Sequence, residues 1–226
     1  YVASSGSDAV TVFRRNRKTG ALRQLKGSKG CIAARGAHGC ATGAGLDGPN
    51  SITVSPDGRN VYATSRDSSS ITTFRRNRNT GVLTQLGAGK GCTSDAALPR
   101  CTTGRALGGA DVVAISPNGN NVYVGSFIES AVAVFNRNRK TGVLTQPADT
   151  TGCLTEVATT GCSTGIALGS PEGMAVSPDG TSVYVATAAS NAVVVLVRDT
   201  STGALTQASD GSGCIVNTAL AGCTTG

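Results

Sequence analysis

Apolar and polar residues alternate over short stretches of this chain, and turn-forming residues separate those stretches. Four segments show the arrangement in turn: 51–55, 60–65, 70–75 and 82–86. Side chains of a β-strand point alternately to its two faces, so a period of two residues predicts strands rather than helices. The sequence therefore predicts four consecutive short strands, designated A, B, C and D.

The connection between strands A and B has a defined turn chemistry. Residues 55–58 read Ser-Pro-Asp-Gly, and the tetrapeptide recurs at 116–119 as Ser-Pro-Asn-Gly and at 177–180 as Ser-Pro-Asp-Gly. Proline restricts φ to the value that the turn needs, and glycine adopts a positive φ without a steric penalty. A tight hairpin turn is therefore predicted at each of the three positions.

The whole pattern repeats with a period of 61 residues, without insertion or deletion. The aligned positions include four tyrosines: Tyr1, Tyr62, Tyr123 and Tyr184. Each unit also carries Thr-Gly followed by Leu-x-Gln, at 19–24, 80–85, 141–146 and 202–207. The sequence thus divides into repeat units 1–61, 62–122, 123–183 and 184–226, of which the last is truncated.

Four short strands per repeat are typical of a blade of a β-propeller. We therefore predict an all-β propeller, with residues 1–226 forming one domain or a segment of one. It is built from four-stranded antiparallel blades, about four in number, with 15 strands. Because the first unit starts at strand B, we expect the ring to be completed by further blades of the same polypeptide or by a neighbouring chain.

The strand B sequences carry a family resemblance. Tyr-Val-Ala-Ser at Tyr1, Tyr-Val-Gly-Ser at Tyr123 and Tyr-Val-Ala-Thr at Tyr184 resemble the YVTN-type repeats of lactonase-like β-propellers. The resemblance covers the whole chain and implies a lactone hydrolase or a muconate-type cyclising enzyme. It carries over no catalytic residue, because the matching positions belong to strands and turns that the architecture itself requires.

Two cysteines per unit stand nine residues apart, which predicts one local disulfide in each unit. The pairs are Cys31 with Cys40, Cys92 with Cys101, Cys153 with Cys162, and Cys214 with Cys223. A zinc site is the alternative, but it needs four ligands, and only the first unit adds a histidine, His38, to its two thiols. Disulfides indicate an oxidising compartment, so we expect a secreted, extracellular or cell-surface protein.

Basic residues cluster around the C-to-D turn, and the chain has a formal net charge of +7. The predicted basic surface comprises Arg14, Arg15, Arg17, Arg75, Arg76, Arg78, Arg137 and Arg139. Such a surface attracts phosphate, an anionic polysaccharide or another acidic polymer. The alternative is that these charges serve solvation and prevent edge-to-edge strand pairing. Nucleic acid is disfavoured as a partner because no aromatic residues are interleaved with the cations.

One polar position precedes strand A in three units, where it holds Asn50, Asp111 and Glu172. Strand A lines the axis of a propeller, so these side chains are predicted to surround the opening of the central channel. Their oxygens suit calcium or a ligand that bears hydroxyl groups. The alternative interpretation is that they cap backbone donors at the start of the strand.

No catalytic arrangement is evident in the sequence. A Ser-His-Asp triad would depend on His38 alone, and the 13 acidic residues form no pair that the sequence can place. No apolar segment is long enough to span a membrane. These observations favour a binding or scaffold module that recognises a protein or an anionic polysaccharide. A lactonase-like enzyme acting at the channel opening is the alternative function.

Overall fold

The computed structural model describes residues 1–36, 39–87 and 89–226 and consists of short strands. They form four successive sheets and one small hairpin. The first sheet contains β1 Val2–Ser4, β2 Ala9–Thr11, β5 Cys31–Ala33 and β6 Ala41–Thr42, and the hairpin contains β3 Phe13–Arg15 and β4 Leu22–Gln24. Short 3-10 turns lie at Ser5–Ser7, Gly27–Lys29 and Thr150–Gly152.

The other three sheets share one topology. The second contains β7 Pro49–Val54, β8 Asn60–Ser65, β9 Ser70–Arg76, β10 Leu83–Gln85, β11 Cys92–Ser94 and β12 Thr102–Thr103. The third contains β13 Ala110–Ile115, β14 Asn121–Ser126, β15 Ala131–Arg137, β16 Leu144–Thr145, β17 Cys153–Thr155 and β18 Ser163–Thr164. The fourth contains β19 Pro171–Val176, β20 Ser182–Thr187, β21 Ala192–Arg198, β22 Leu205–Gln207, β23 Cys214–Val216 and β24 Thr224–Thr225.

Each of these sheets is a propeller blade, and the predicted all-β propeller architecture is confirmed. The predicted strands A to D correspond to β7, β8, β9 and β10, and they pair in antiparallel order. The innermost strands β7, β13 and β19 contact one another in chain order. They therefore line the axis, and the later strands of each sheet lie progressively farther out.

The outer edge of each blade contains more structure than the sequence predicted. Strand β9 pairs with β10 along its second half and with β11 along its first half, so two short strands share the fourth position. Strand β12 adds a parallel fifth position beside β11. The segment predicted as an irregular return is thus partly strand. Its Ala, Gly and Thr residues show no period of two, which is why the pattern missed it.

All four predicted disulfides are present, and no free cysteine remains. In the third sheet, Cys153 begins β17 and Cys162 immediately precedes β18. The bridge therefore holds the parallel outer strand against the antiparallel part of the blade. The other three sheets repeat the arrangement.

The turn motifs also adopt the predicted structure. The amide of Gly58 donates to the carbonyl oxygen of Ser55 over 2.7 Å, and Gly58 has a φ of +66°. In the C-to-D turn, the side-chain oxygen of Asn77 accepts hydrogen bonds from the amides of Asn79 and Thr80. Local side-chain acceptors of this kind stabilise a turn without tertiary help.

Successive blades pack face to face through apolar side chains. Val10 of the first sheet and Val12, which follows β2, pack with Val61 and Phe74 of the second, and all four are buried. Comparable clusters lie between the second and third sheets and between the third and fourth sheets. Burial of this surface between blades is the main stabilising term of the fold.

A hydrogen-bonded contact accompanies each apolar cluster. The hydroxyl of Tyr62 donates to the carbonyl oxygen of Gly142 over 2.9 Å and accepts from Nε of Arg137 over 2.8 Å. Tyr123 makes the same contact with Gly203 and Arg198. The repeated tyrosine and Thr-Gly motifs thus recognise each other across the interface between blades. Tyr1 contacts Gly81 and Arg76 in the same way.

Arg137 was predicted to belong to an exposed basic surface, and that prediction is wrong. Its side chain is fully buried and pairs with the carboxylate of Asp57 over 2.9 Å. It also donates to Gly119 and to the side chain of Asn60. The guanidinium is buried because it satisfies the polar groups of a neighbouring blade, and burial of a charge is tolerated only with such partners.

The outward face of the fourth sheet remains uncovered. Tyr184 and Val193 are 42% and 43% exposed, whereas the equivalent Tyr123 and Val132 are completely buried. Within the described residues, the Tyr184 hydroxyl makes none of the contacts that its equivalents make. The fourth sheet therefore presents the same kind of surface that earlier sheets bury against the next blade.

Asp57 is expected to make the fold sensitive to acid. Burial by itself raises the pKa of Asp57, but hydrogen bonds from Ser55, Arg137 and the amide of Arg59 outweigh this effect. The resulting pKa is lowered to about 2. Because this pKa lies below the ordinary 3.8, ionised Asp57 stabilises the folded state. That contribution is complete above about pH 4 and is lost as the pH falls toward 2.

Two substitutions test this acid dependence. Asn118 occupies the position of Asp57 in the next unit, so Asp57→Asn should reduce the fall in melting temperature between pH 5 and pH 2. The reciprocal Asn118→Asp places a carboxylate opposite Arg198 and should increase that fall. Thermal unfolding at several pH values measures both. Parallel curves for the parent and both variants would show that these ion pairs do not control acid sensitivity.

Candidate functional site at the axial opening

A β-bulge near the start of each innermost strand places one polar side chain at the axis. The register of β7 against β8 shifts between Pro49 and Ser51, which leaves Asn50 as the extra residue. Asp111 and Glu172 are the extra residues of the equivalent bulges in β13 and β19. A bulge changes the direction of a side chain without interrupting the sheet. The three predicted axial residues thus share one special backbone position.

Asn50 and Asp111 interact directly across two blades. The side-chain amide of Asn50 donates to Oδ1 of Asp111 over 2.8 Å. Nη1 of Arg66 lies 3.8 Å from the same oxygen, and the Asp111 residue is only 4% exposed. Asn50 therefore bonds a neighbouring carboxylate rather than capping its own strand.

The electrostatic surroundings of Asp111 combine opposing effects. Burial raises the pKa of its carboxyl group above the ordinary value, and the nearby Glu172 carboxylate raises it as well. Arg66 and the hydrogen bond from Asn50 act in the opposite direction. Glu172 is exposed, as is Asn50, and it borders a cavity of about 440 Å³ that extends along β20 and β21.

Sequence reasoning missed Arg66, which is the cation of this site. Its guanidinium lies 3.6 Å from the ring centroid of Phe127, a distance that permits a cation–π interaction. Phe127 occupies the position of Arg66 in the next unit, and Ala188 occupies it in the one after. The divergence of one B-to-C turn position beside the three axial residues is the signal that would have identified it.

A second pair of carboxyl groups lies where the B-to-C turn meets the outer strand. Burial raises the pKa of Asp95, and the neighbouring Glu129 carboxylate raises it further. Glu129 itself accepts a hydrogen bond from the amide of Gly108. The amide of Asp95 donates to Ser69 in the adjacent turn. This pair occupies the same end of the blades as Asp111.

The calcium-binding role predicted for Asn50, Asp111 and Glu172 stays a prediction. No three His, Cys, Asp or Glu side chains among residues 1–36, 39–87 and 89–226 stand close enough to hold an ion together. His38, on which a catalytic triad or a zinc site would have depended, lies outside the described residues.

Most of the predicted basic surface is exposed at the C-to-D end of the blades. Six of its eight arginines are exposed, namely Arg14, Arg15, Arg17, Arg75, Arg78 and Arg139. Arg76 is half-buried because its Nε donates to Tyr1 and its Nη1 donates to Gly58. Arg137, described above, is the buried exception. The exposed cations lie at the opposite end of the strands from the axial row.

Comparison with known proteins decides the family. The sequence model of the lactonase, seven-bladed β-propeller family matches residues 40–95 and 96–214, which is well over half of the chain. The chain belongs to this lactonase family. The resemblance inferred from the tyrosine repeats is thus confirmed. No curated protein matches the chain significantly.

Solved structures agree with this lactonase-family fold. A proposed 6-phosphogluconolactonase of Bacteroides fragilis aligns with a TM-score of 0.64 and 22% identity, over 89% of this chain and 48% of that one. A Lactobacillus plantarum protein aligns with a TM-score of 0.59 and 22% identity, over 88% of this chain and 48% of that one. The periplasmic gluconolactonase of Pseudomonas aeruginosa aligns with a TM-score of 0.55 and 20% identity, over 87% of this chain and 48% of that one. The chain spans about half the length of these proteins.

Family membership favours the lactonase-like alternative over the predicted binding scaffold. The scaffold interpretation rested on the lack of an evident catalytic arrangement in the sequence, but the units diverge at the axis, where Asn50, Asp111 and Glu172 differ. The four disulfides indicate an exported, non-cytoplasmic member of the lactonase family. None of the helices in the described parts of the chain is long and apolar enough to cross a bilayer.

Proposed function

We propose that this lactonase-family chain contributes a site for hydrolysis of a sugar lactone at the axial opening. The observation that carries the proposal is the row of bulge residues beside Arg66, in a fold shared with lactonases. A lactone is a cyclic ester, so its hydrolysis needs a donor for the carbonyl oxygen and a base for the attacking water. The row offers both kinds of group.

Each residue has a distinct role in the proposed reaction. Arg66 and the second amide hydrogen of Asn50 donate to the carbonyl oxygen as negative charge develops on it. The exposed carboxylate of Glu172 accepts a proton from water, which attacks the carbonyl carbon while the ring C–O bond breaks. Asp111 is a positioning residue, because it bonds Asn50 and pairs with Arg66. The protonated Glu172 then gives this proton to the leaving ring oxygen, so the products are a hydroxy acid and the regenerated side chains.

Proton release from D-glucono-1,5-lactone, measured above the spontaneous rate, tests the proposal. Glu172→Gln should lower kcat by about 100-fold or more, the usual contribution of a general base. Asp111→Asn should cause a smaller loss, because asparagine occupies the equivalent position 50 and preserves the packing. Asp179→Asn, at an exposed turn on the other end of the blades, is the control. A parent rate equal to buffer, or equal rates for all variants, would contradict this function.

We also propose that a further blade covers the exposed face of the fourth sheet. It would come from the same polypeptide or from a neighbouring chain. The support is the repeat itself, since Tyr62 and Tyr123 each bond an arginine 75 residues later and a glycine 80 residues later. Tyr184 presents the same surface. The oxidising compartment proposed for this assembly is the cell surface or the extracellular medium.

A further inference from the structure

Positive charge is concentrated in one part of the first unit. Residues 9–46 contain eight of the 20 lysines and arginines and no acidic residue. Four cations line a cavity of about 720 Å³, between the β3–β4 hairpin and the β9–β10 edge of the second sheet. We name this cavity the basic groove and define it by Arg14, Lys26, Lys29 and Arg75. None of the four forms a salt bridge with a described carboxylate.

The repeat provides an internal comparison for the basic groove. Five uncharged residues of its lining are identical one period later: Leu25, Asn77, Thr80, Val82 and Thr84 correspond to Leu86, Asn138, Thr141, Val143 and Thr145. These uncharged residues, which we call the frame of the groove, therefore follow from the repeat architecture.

The cations, in contrast, decline from one blade interface to the next. Arg14, Lys26, Lys29 and Arg75 correspond first to Arg75, Gly87, Lys90 and Asn136, and then to Asn136, Ala148, Thr151 and Val197. The number of cations at these positions thus falls from four to two to none. Because the second interface keeps the uncharged lining with only two of the four cations, neither the fold nor the turn chemistry requires all four. The charges are a separate feature of the first interface.

The basic groove continues into a second cavity. A space of about 360 Å³ is lined by Arg59, Arg76, Arg78 and Lys140, and it shares Arg75 and Asn77 with the first. The two cavities together are lined by eight lysines and arginines. A ligand with several negative charges can pair with more of these cations than a single small anion can.

We propose that the basic groove binds a linear polysaccharide that carries carboxylate or sulfate groups. Its cations would pair with the acidic groups, and its uncharged polar side chains would bond the sugar hydroxyls. Oδ1 of Asn77 already accepts two turn amides, which leaves its side-chain amide free to donate. The lining contains no aromatic residue on which nucleic-acid bases could stack.

Titration calorimetry at low salt tests the proposal with polygalacturonate and heparin oligosaccharides, which distinguish carboxylate from sulfate. The variant Arg14→Asn/Lys26→Ala/Lys29→Thr introduces the residues found two periods later at those positions, so the frame is preserved. We expect its Kd to rise about tenfold, because three exposed ion pairs are removed. The dependence of Kd on salt should weaken as well.

A matched control removes three exposed cations elsewhere. Lys90→Thr/Arg100→Gly/Arg139→Thr also takes its residues from equivalent positions, 151, 161 and 200. It lowers the net charge equally and should change Kd less than about twofold. Lactone hydrolysis should be the same in both triple variants, because the axial row lies at the opposite end of the blades.

A gain of binding provides a second measurement. Gly87→Lys/Asn136→Arg restores four cations to the second interface, and a Cβ on Gly87 would meet no atom within 4 Å. This variant should bind a second oligosaccharide per chain. The proposal is overturned if the control weakens binding as much as the groove variant, or if inorganic phosphate alone displaces the oligosaccharide. Tighter binding of single-stranded DNA of equal charge would assign the groove to nucleic acid instead.

Discussion

Replacing Arg137 with methionine is expected to lower the free energy of unfolding by about 3–5 kcal/mol, because it breaks a buried ion pair. The fully buried guanidinium bonds Asp57, Asn60, Tyr62 and Gly119, which belong to two blades. Methionine fills a similar volume but leaves those polar groups without a donor. Urea unfolding at neutral pH, with linear extrapolation to water, measures the loss.

Arg76 provides the matched control for this substitution. It occupies the equivalent position one unit earlier, but it is half-buried and bonds Tyr1 and Gly58 without a carboxylate. Arg76→Met should therefore cost about 1 kcal/mol, the usual value for a partly solvated hydrogen bond. Equal losses in the two variants would show that burial and ion pairing at Arg137 add nothing to the stability of the interface.

Replacing Cys153 and Cys162 together with serine is expected to lower the free energy of unfolding by about 2.5–3 kcal/mol. This is the loop-closure entropy of a ten-residue loop in the chain-entropy model. The bridge holds β18 against β17, so its removal should expose the amides of these outer strands to hydrogen exchange. Amides of β13 to β15 should stay protected, because each pairs within the antiparallel part of the blade.

Reduction of all four bridges extends this prediction to the whole chain. The melting temperature should fall. Below the melting temperature of the reduced protein, the far-UV circular dichroism signal of the β-sheets should remain largely intact. Alkylation of the folded protein without reductant should label no cysteine. Labelling of even one pair, or equal loss of protection in inner and outer strands, would contradict the assignment of the bridges to the blade edges.

The sequence determined the architecture because the repeat imposes it locally. Alternation over 60–65 and 70–75, together with the turns at 55–58 and 77–81, specifies a meander of strands without any distant contact. The period of 61 residues then specifies that the meander recurs. Strand B was predicted at its observed bounds, Asn60–Ser65. The cysteine spacing specified the four bridges for the same reason, since each bridge is local.

The sequence predicted the axial row and a ligand-binding role for it, but not the local geometry that forms it. The sequence showed that Asn50, Asp111 and Glu172 share one register. It did not show the bulges that direct these side chains to the axis, because a bulge is a relation between two strands. Arg66 was missed because its role depends on Asp111 and Phe127, which lie 45 and 61 residues away in sequence.

Whether an arginine is exposed or buried was decided only by the tertiary structure. Arg75 and Arg137 occur in similar turn-proximal, basic stretches, yet one is exposed in a groove and the other is completely enclosed. Alternation along β15 places Arg137 on the face that the preceding blade covers. There it pairs with the carboxylate of Asp57 and donates to the hydroxyl of Tyr62. Which cations remain free for a ligand is set by the packing of one blade on another, because desolvation of a charge depends on neighbours distant in sequence.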